Sequence, residues 1–210
     1  MRSAGPPLLL VLLPLLGVTP FLRAEEPEDA RRPNILFVLS DDHAAQAVSA
    51  YGSGLNRTPH IDRLANEGVV FERAYCGNSI CAPSRASFLT GLHAHAHGKR
   101  TNLDRFDGSQ PTFVTRLRAA GYTKALIVKC HLQCQPQGFD HWQVLPGQGS
   151  YYNPDFVSPE GRTRHTGYVT DITTDLALDW LRSREGEESP WLLLCHHKAP
   201  HRTWAPGPAH

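Results

Sequence analysis

The feature that most constrains the fold is an alternation of apolar runs with amphipathic segments along residues 34–195. Residues 34–40, Asn-Ile-Leu-Phe-Val-Leu-Ser, are rich in strand-forming residues and lack helical periodicity. Such a run predicts a strand buried on both faces, as in a parallel sheet covered by helices on each side. Further strands are predicted over 69–75, 122–128 and 190–195. Alternating strands and helices predict an α/β fold: a doubly wound, mostly parallel sheet with helices on both faces.

The helices between these strands are indicated by their boundary residues. Thr58-Pro59 has the pattern of an N-cap followed by proline at the first helical position, which predicts a helix to about Asn66. Further helices are predicted over 84–90, 111–120 and 167–184. Residues 133–166 are rich in Gly, Pro, Gln, Asn and Tyr, so we predict a long loop there.

The N-terminus has the pattern of a targeting segment. Arg2 precedes an apolar run, Leu8 to Val18, and acidic residues follow Ala24. The run is too short and wrongly flanked for a membrane-spanning helix, so residues 1–24 are interpreted as a signal peptide. A short membrane anchor is the alternative. We expect a charged spacer over 25–33, no stable membrane span, and a secreted or periplasmic protein, or a lysosomal one in an animal host.

Length and composition restrict the function classes. The chain has 210 residues, 40% of them hydrophobic, and a formal net charge of +1. It lacks the basic stripe that nucleic-acid binding requires, so no nucleic-acid partner is expected. The length allows one domain or a piece of a larger one. Residues 206–210 show no closing helix or strand, so we expect residues 34–210 to be the N-terminal portion of a longer domain.

Polar residues follow three of the predicted strands. Asp41-Asp42 comes directly after the first, Lys129-Cys130-His131 after the third, and the run 196–201, His-His-Lys-Ala-Pro-His, after the last. Ligands of open α/β sheets gather beyond the carboxyl ends of the strands. Adjacent carboxylates can hold a hard divalent cation through oxygen, although an isolated Asp-Asp is more often a solvated turn or a helix N-cap.

Residues 81–85, Cys-Ala-Pro-Ser-Arg, form a short motif between the second strand and the next helix. Pro83 can open a helix, where its missing N–H costs nothing. Arg85 lies one helical turn after Cys81 and would return a fixed positive charge towards it. Taken alone the motif is weak, because a cysteine is commonly just a small buried hydrophobic residue.

The order of these motifs resembles the type I, formylglycine-dependent sulfatase family, in its N-terminal part and over about residues 32–210. The segments 32–36, 58–65 and 89–91 also resemble that family. In this family a maturation enzyme oxidises the signature cysteine to formylglycine, whose hydrate is the nucleophile. The resemblance implies that Asp41, Asp42 and the formylglycine made from Cys81 ligate Ca²⁺.

The same resemblance implies catalytic roles for five residues. Arg85 and Lys129 would orient the converted Cys81 and the sulfate oxygens. His131 would assist proton removal from the diol, and His201 would contact the sulfate and help to protonate the leaving alcohol. The implied partners are a sulfate ester and the formylglycine-generating enzyme.

The sequence departs from the family at two points. The family usually has Gly-Lys-Trp-His around the lysine, where this chain has Val128 before Lys129 and Cys130 after it. The family also completes its metal site with an Asp-Asn pair and another lysine much later in the chain, at positions that these 210 residues do not include. We therefore expect this chain alone to be inactive.

The five cysteines leave other interpretations open. With Cys81 converted, the remaining four could form two disulfides, whose pairing the sequence does not assign. A zinc site at Cys130, His131 and Cys134 is an alternative, although it lacks a second spaced pair of ligands.

The function predicted is hydrolysis of sulfate monoesters, and residues 136–154 resemble sulfatases of sulfated glycans more than simple aryl sulfatases. We favour a 6-O-sulfated amino sugar as substrate. The alternatives are a phosphate or phosphonate monoester hydrolase of the same superfamily, and a truncated sulfatase-like protein without activity.

Overall fold

A computed structural model describes residues 32–208, which form a six-stranded sheet with flanking helices. The predicted signal peptide and most of the spacer lie outside these residues. The strands are β1 Ile35–Leu39, β2 Thr123–Val128, β3 His141–Val144, β4 Asp155–Ser158, β5 Gly161–Arg164 and β6 Trp191–His196. The helices are α1 Pro59–Glu67, α2 Cys81–Thr90, α3 Ala94–His97, α4 Phe113–Ala119 and α5 Val169–Arg182. Within 32–208, no helix is both long and apolar enough to cross a membrane.

The strand order is β1-β6-β2-β3-β4-β5. The first four strands in this order pair in parallel, and β4 and β5 add an antiparallel hairpin at one side. The last strand in the sequence thus lies between the first two, so that Leu194 is in register with both Phe37 and Leu126. The predicted doubly wound, mostly parallel sheet is confirmed.

Successive side chains of β2 and β6 point to opposite faces of the sheet, and each face is buried under helices. On one face Leu126, Leu192 and Leu194 pack with residues of α2 and α4. On the other face Ile127 and Leu193 pack with residues of α5. These two strands are the fully buried kind that a parallel sheet requires.

The expectation that the first strand is buried on both faces is wrong. In the described sheet β1 is an edge strand, and Leu36 and Val38 are 52% and 59% exposed. Ile35 and Phe37 pack against the core on the other face. An apolar run specifies a strand, but whether its second face is covered depends on distant parts of the chain.

Two further predictions are wrong. Residues 69–75 form no strand, and Val69, Phe71 and Tyr75 are more than 70% exposed. Strand propensity produces a strand only where another strand offers hydrogen bonds. Conversely, the predicted loop 133–166 contains β3, β4 and β5, whose four-residue lengths leave little alternation to detect.

The predicted helices are confirmed, with small shifts at their ends. α1 begins at Pro59, and α2 ends before Gly91, which adopts the left-handed conformation (φ 71°) that glycine tolerates. α4 begins two residues later than predicted, because Thr112 and Thr115 form a reciprocal capping box at its N-terminus. α5 is the longest helix, as predicted.

An ion pair between the buried Lys124 and the more exposed Asp140 provides a test of the packing at the start of β2. Lys124 is 1% exposed, and its Nζ lies 2.6 Å from Asp140 Oδ2 and 2.6 Å from the Tyr122 carbonyl oxygen. Asp140→Ala should lower the free energy of unfolding by about 2 kcal/mol in urea titrations, because the buried ammonium loses its charged partner. The control Asp179→Ala removes an exposed pair with Arg182 and should cost at most about 0.5 kcal/mol.

The effect of Asp140→Ala should depend on pH. Burial raises the pKa of Asp140, but hydrogen bonds from the side chain and backbone N–H of Lys124 outweigh it and lower the pKa. The stabilisation is therefore present above the unfolded pKa, about 3.9 for aspartate, and is lost as the pH falls through the folded value. An equal loss in both variants, or a difference that persists in acid, would contradict this assignment.

Candidate active site

The carboxyl ends of three neighbouring parallel strands, β1, β6 and β2, are held together by backbone hydrogen bonds. Beyond β1, the N–H of Asp41 donates to the carbonyl of Ala199 at 3.1 Å. The N–H of His197 donates to Leu39 at 2.8 Å, and that of Lys129 to His196 at 3.2 Å. The side chains that follow β1, β2 and β6 therefore lie at one edge of the sheet, as the sequence predicts.

A buried charge network occupies this edge. Asp41, Arg85 and Lys129 are 5%, 3% and 0% exposed. Lys129 Nζ pairs with the Asp41 carboxylate, and Arg85 Nη2 lies 3.6 Å from its other oxygen. Arg85 Nη1 also donates to the carbonyl of Lys129 at 2.7 Å. Burial lowers the pKa of Arg85 while Asp41 opposes that effect, so the carboxylate is what keeps two buried cations together.

Cys81 is the first residue of α2 and faces this network. Its Sγ lies 4.0 Å from Lys129 Nζ, and the side chain is partly buried. The next N–H, of Ala82, donates to Asn102 Oδ1 at 3.1 Å, which fixes the start of the helix. The structure thus brings Cys81, Arg85 and Lys129 together, as the sequence predicts.

Three residues could together coordinate one metal ion. Single ligand atoms of Asp41, Cys81 and His201 lie within 4.8 Å of one another. Asp42, which the sequence also predicts as a ligand, is not in this group. Its exposed carboxylate lies 3.5 Å from Nε2 of the buried His201 ring. The backbone of Asp42 is in the left-handed region, with φ 59°.

His131 lies at the same edge in a half-buried position. Burial, with Lys129 and Arg85 nearby, lowers the pKa of His131 to about 4. The ring is therefore neutral at pH 7 and can accept a proton. Its Nδ1 is buried, and the described residues offer it no hydrogen-bond partner.

The strand end at Val128 is strained. Val128 has φ 90°, a region that glycine tolerates and that a β-branched residue rarely enters. Val128 stands at the position where the sulfatase family usually has glycine before the lysine. The chain keeps the glycine-like backbone here and accepts the strain of a valine.

Three site residues were given no role in the sequence analysis. Gln148, from the segment between β3 and β4, accepts from Lys129 Nζ at 2.7 Å. Lys198 is 4% exposed, with Nζ 4.8 Å from the centre of the Tyr151 ring. His196 is buried, with Nδ1 3.2 Å from Arg85 Nη1. Lys198 and His196 belong to the polar run after β6, and this position at a strand end could have indicated a role in the site. No local feature of the sequence indicates that Gln148 belongs to the site.

The alternative of a zinc site at Cys130, His131 and Cys134 gains no support. The ligand atoms of these three described residues do not converge as those of Asp41, Cys81 and His201 do. Cys130 is instead packed in the apolar cluster beneath the site, and burial raises the pKa of its thiol to about 11. A neutral, apolar environment does not favour the thiolate that zinc binds.

Comparison with known proteins agrees with this geometry. The Sulfatase family model matches residues 33–209. An N-acetylglucosamine-6-O-sulfatase of Bacteroides thetaiotaomicron is 44% identical over 99% of this chain and 38% of its own length. An N-acetylgalactosamine-6-sulfatase of Rattus norvegicus is 30% identical over 91% of this chain and 43% of its own length.

A solved structure, described as BT4656 in complex with its substrate D-glucosamine-2-N,6-O-disulfate, superposes with a TM-score of 0.83. It is 47% identical, and the match covers 85% of this chain and 37% of that one. The chain thus spans about two fifths of the length of the relatives it matches. With a family model that covers nearly all of the described residues, this chain belongs to the sulfatase family.

Proposed function

We propose that this chain carries the nucleophile side of a sulfatase active site, which hydrolyses sulfate monoesters of sulfated glycans. The observation that supports it most is the position of Cys81, at the start of α2 and 4.0 Å from the buried ammonium of Lys129. Arg85 and Asp41 complete the surroundings of that ammonium. A nucleophile beside fixed positive charge is what attack on an anionic ester requires.

The substrate we propose is a 6-O-sulfated amino sugar. Two relatives are named for 6-sulfated N-acetylhexosamines, and the superposed structure holds a 6-O-sulfated glucosamine. In this chain, residues 145–152 run past the site, where Gln148 contacts Lys129 and Tyr151 contacts Lys198. This segment is the part of the chain best placed to contact a sugar ring.

The residues present fit the calcium ion of the family in part. Asp41 and Asp42 supply carboxylate oxygens, which calcium prefers, but calcium takes about six to eight oxygen ligands. The sulfur of Cys81 is a soft donor, and its conversion to formylglycine would replace it with oxygen. We therefore propose Asp41, Asp42 and the converted Cys81 as calcium ligands, with the remaining ligands supplied from outside this chain.

Positive charge would hold and polarise the sulfate. The formylglycine hydrate would supply the nucleophile, and calcium, when bound, would add Lewis acidity. Lys129 and Arg85 are fixed by burial and by hydrogen bonds, so they need little reorganisation when charge develops on the sulfate oxygens. Lys198 is a third basic group close to the same point, although burial and the nearby Lys129 lower its pKa.

Two imidazoles, of His131 and His201, would carry out the proton transfers of the reaction. His131 is neutral at pH 7 because its pKa is lowered to about 4, so its free nitrogen is available to take the proton of the attacking hydroxyl, although as a weak base. His201 is held near Cys81 and Asp41. Its contact with Asp42 would hold the ring in place to supply a proton to the leaving alcohol.

The first test is maturation of Cys81. Coexpression with a formylglycine-generating enzyme should convert Cys81 to formylglycine in most molecules. The conversion exchanges sulfur for oxygen and removes two hydrogens. Mass spectrometry of the tryptic peptide 74–85 reads this change directly. That peptide also contains Cys76, an internal control that should remain a thiol.

Cys81→Ala is the matched variant and should show no aldehyde in the same peptide. If Cys81 remains an alkylatable thiol in every preparation with active maturation enzyme, the proposed nucleophile is wrong.

The second test is binding of inorganic sulfate. At a hundredfold excess over its Kd, sulfate should add about 2.7 kcal/mol to the free energy of unfolding and raise the Tm by about 8 °C. Lys198→Met should weaken the apparent affinity about tenfold, because it removes one charge-assisted hydrogen bond.

Arg162→Gln is the control, because Arg162 is 63% exposed on β5 and should leave the sulfate effect unchanged. Equal stabilisation of the Lys198→Met variant and the parent would remove Lys198 from the proposed anion site.

A further inference from the structure

Cys130 and Cys134 lie on the segment that follows β2, and both face the same space. Cys130 is 8% exposed and belongs to the apolar cluster beneath the site, and Cys134 packs against that cluster. Both residues line one apolar cavity of ≈ 30 Å³. The two cysteines, four positions apart in the sequence, therefore border the same apolar space.

The backbone between them is turned twice. His131 has φ 56° and Gln133 has φ 58°, both in the left-handed region. Two left-handed residues within one short segment shorten it and return the chain on itself, unlike an extended strand. A disulfide needs the two Cα atoms to lie only about 4.4–6.8 Å apart, which a segment turned in this way can supply.

We propose that Cys130 and Cys134 form a disulfide that closes the loop carrying His131. Other pairings are disfavoured by the fold. Cys195 is buried in the cluster on the opposite face of the sheet. Cys76 is exposed before α2, where it donates to the carbonyl of Asn78 at 3.1 Å, and Cys81 faces the charge network.

The route to the bond follows from exposure. Cys134 is partly exposed and also lines an open cleft with Arg105 and Asp107, so a small disulfide can reach it. Its thiolate attacks the reagent disulfide, forming a mixed disulfide and releasing one thiol. Cys130, whose pKa burial raises to about 11, reacts through its small thiolate fraction: it gives its proton to the buffer, attacks the Cys134 sulfur and releases the second thiol. Two protein thiols are oxidised and one reagent disulfide is reduced to two thiols.

The bond would act on the proposed active site through the backbone. Cys130 lies between Lys129, whose ammonium is held by Asp41, and His131, whose ring has an unpartnered Nδ1 within the described residues. Closing the loop would restrict the backbone at His131, and with it the position of the ring. The proposal goes beyond the proposed function, and its test does not require sulfatase activity.

The test is oxidation of the folded full chain with oxidised glutathione, followed by acid quench, alkylation of remaining thiols and trypsin digestion. Trypsin separates the cysteines into peptides 74–85, 130–162 and 185–198. We expect peptide 130–162 to lose two hydrogens and to resist alkylation at both cysteines, while Cys195 stays alkylatable. Reduction should restore both alkylation sites.

Cys134→Ser is the matched variant, in which Cys130 should remain a buried, alkylatable thiol. Oxidation in urea is the second control and should give mixed pairings, because the fold no longer directs the exchange. If the folded chain retains both thiols in peptide 130–162, or links that peptide to another, the proposed disulfide is overturned.

Discussion

The carboxylate of Asp41 is the group on which the rest of the site depends. It lies between Lys129 and Arg85, and all three side chains are almost completely buried. Either cation, left without the carboxylate, would carry the large cost of an unpaired buried charge. The parallel pairing of β1, β6 and β2 brings the three together, because it places the residues after each strand at one edge. The sheet and the charge network therefore stabilise each other.

The sequence predicts this edge well because its signals are local. An apolar run followed directly by Asp41, or by Lys129, specifies both a strand and the polar residue at its end. β2 and β6 are predicted for the same reason. What it misses depends on distant partners. The exposed face of β1 and the failure of residues 69–75 to pair are settled by the rest of the fold. Gln148 reaches Lys129 from a segment whose composition indicated only a loop.

The donor set shows why maturation and metal binding belong together in the proposed function. Asp41 offers oxygen and Cys81 offers sulfur within the same small group, which is an inconsistent pair for a hard cation. Converting the cysteine to an aldehyde hydrate would make both donors oxygen and would create the nucleophile in the same step. Lys129, 4.0 Å from the sulfur, is positioned to stabilise negative charge on that atom's replacement. His131 stays neutral beside these charges and so keeps its capacity to accept a proton.

The most direct test of this account is turnover by a chimera in which residues 33–208 replace the matching part of the Bacteroides thetaiotaomicron N-acetylglucosamine-6-O-sulfatase. After coexpression with the maturation enzyme, sulfate release from 6-O-sulfated N-acetylglucosamine would be measured beside this chain alone. We expect turnover by the chimera, none by its Cys81→Ala variant, and none by the chain alone. A folded chimera with converted Cys81 and no sulfate release would contradict it.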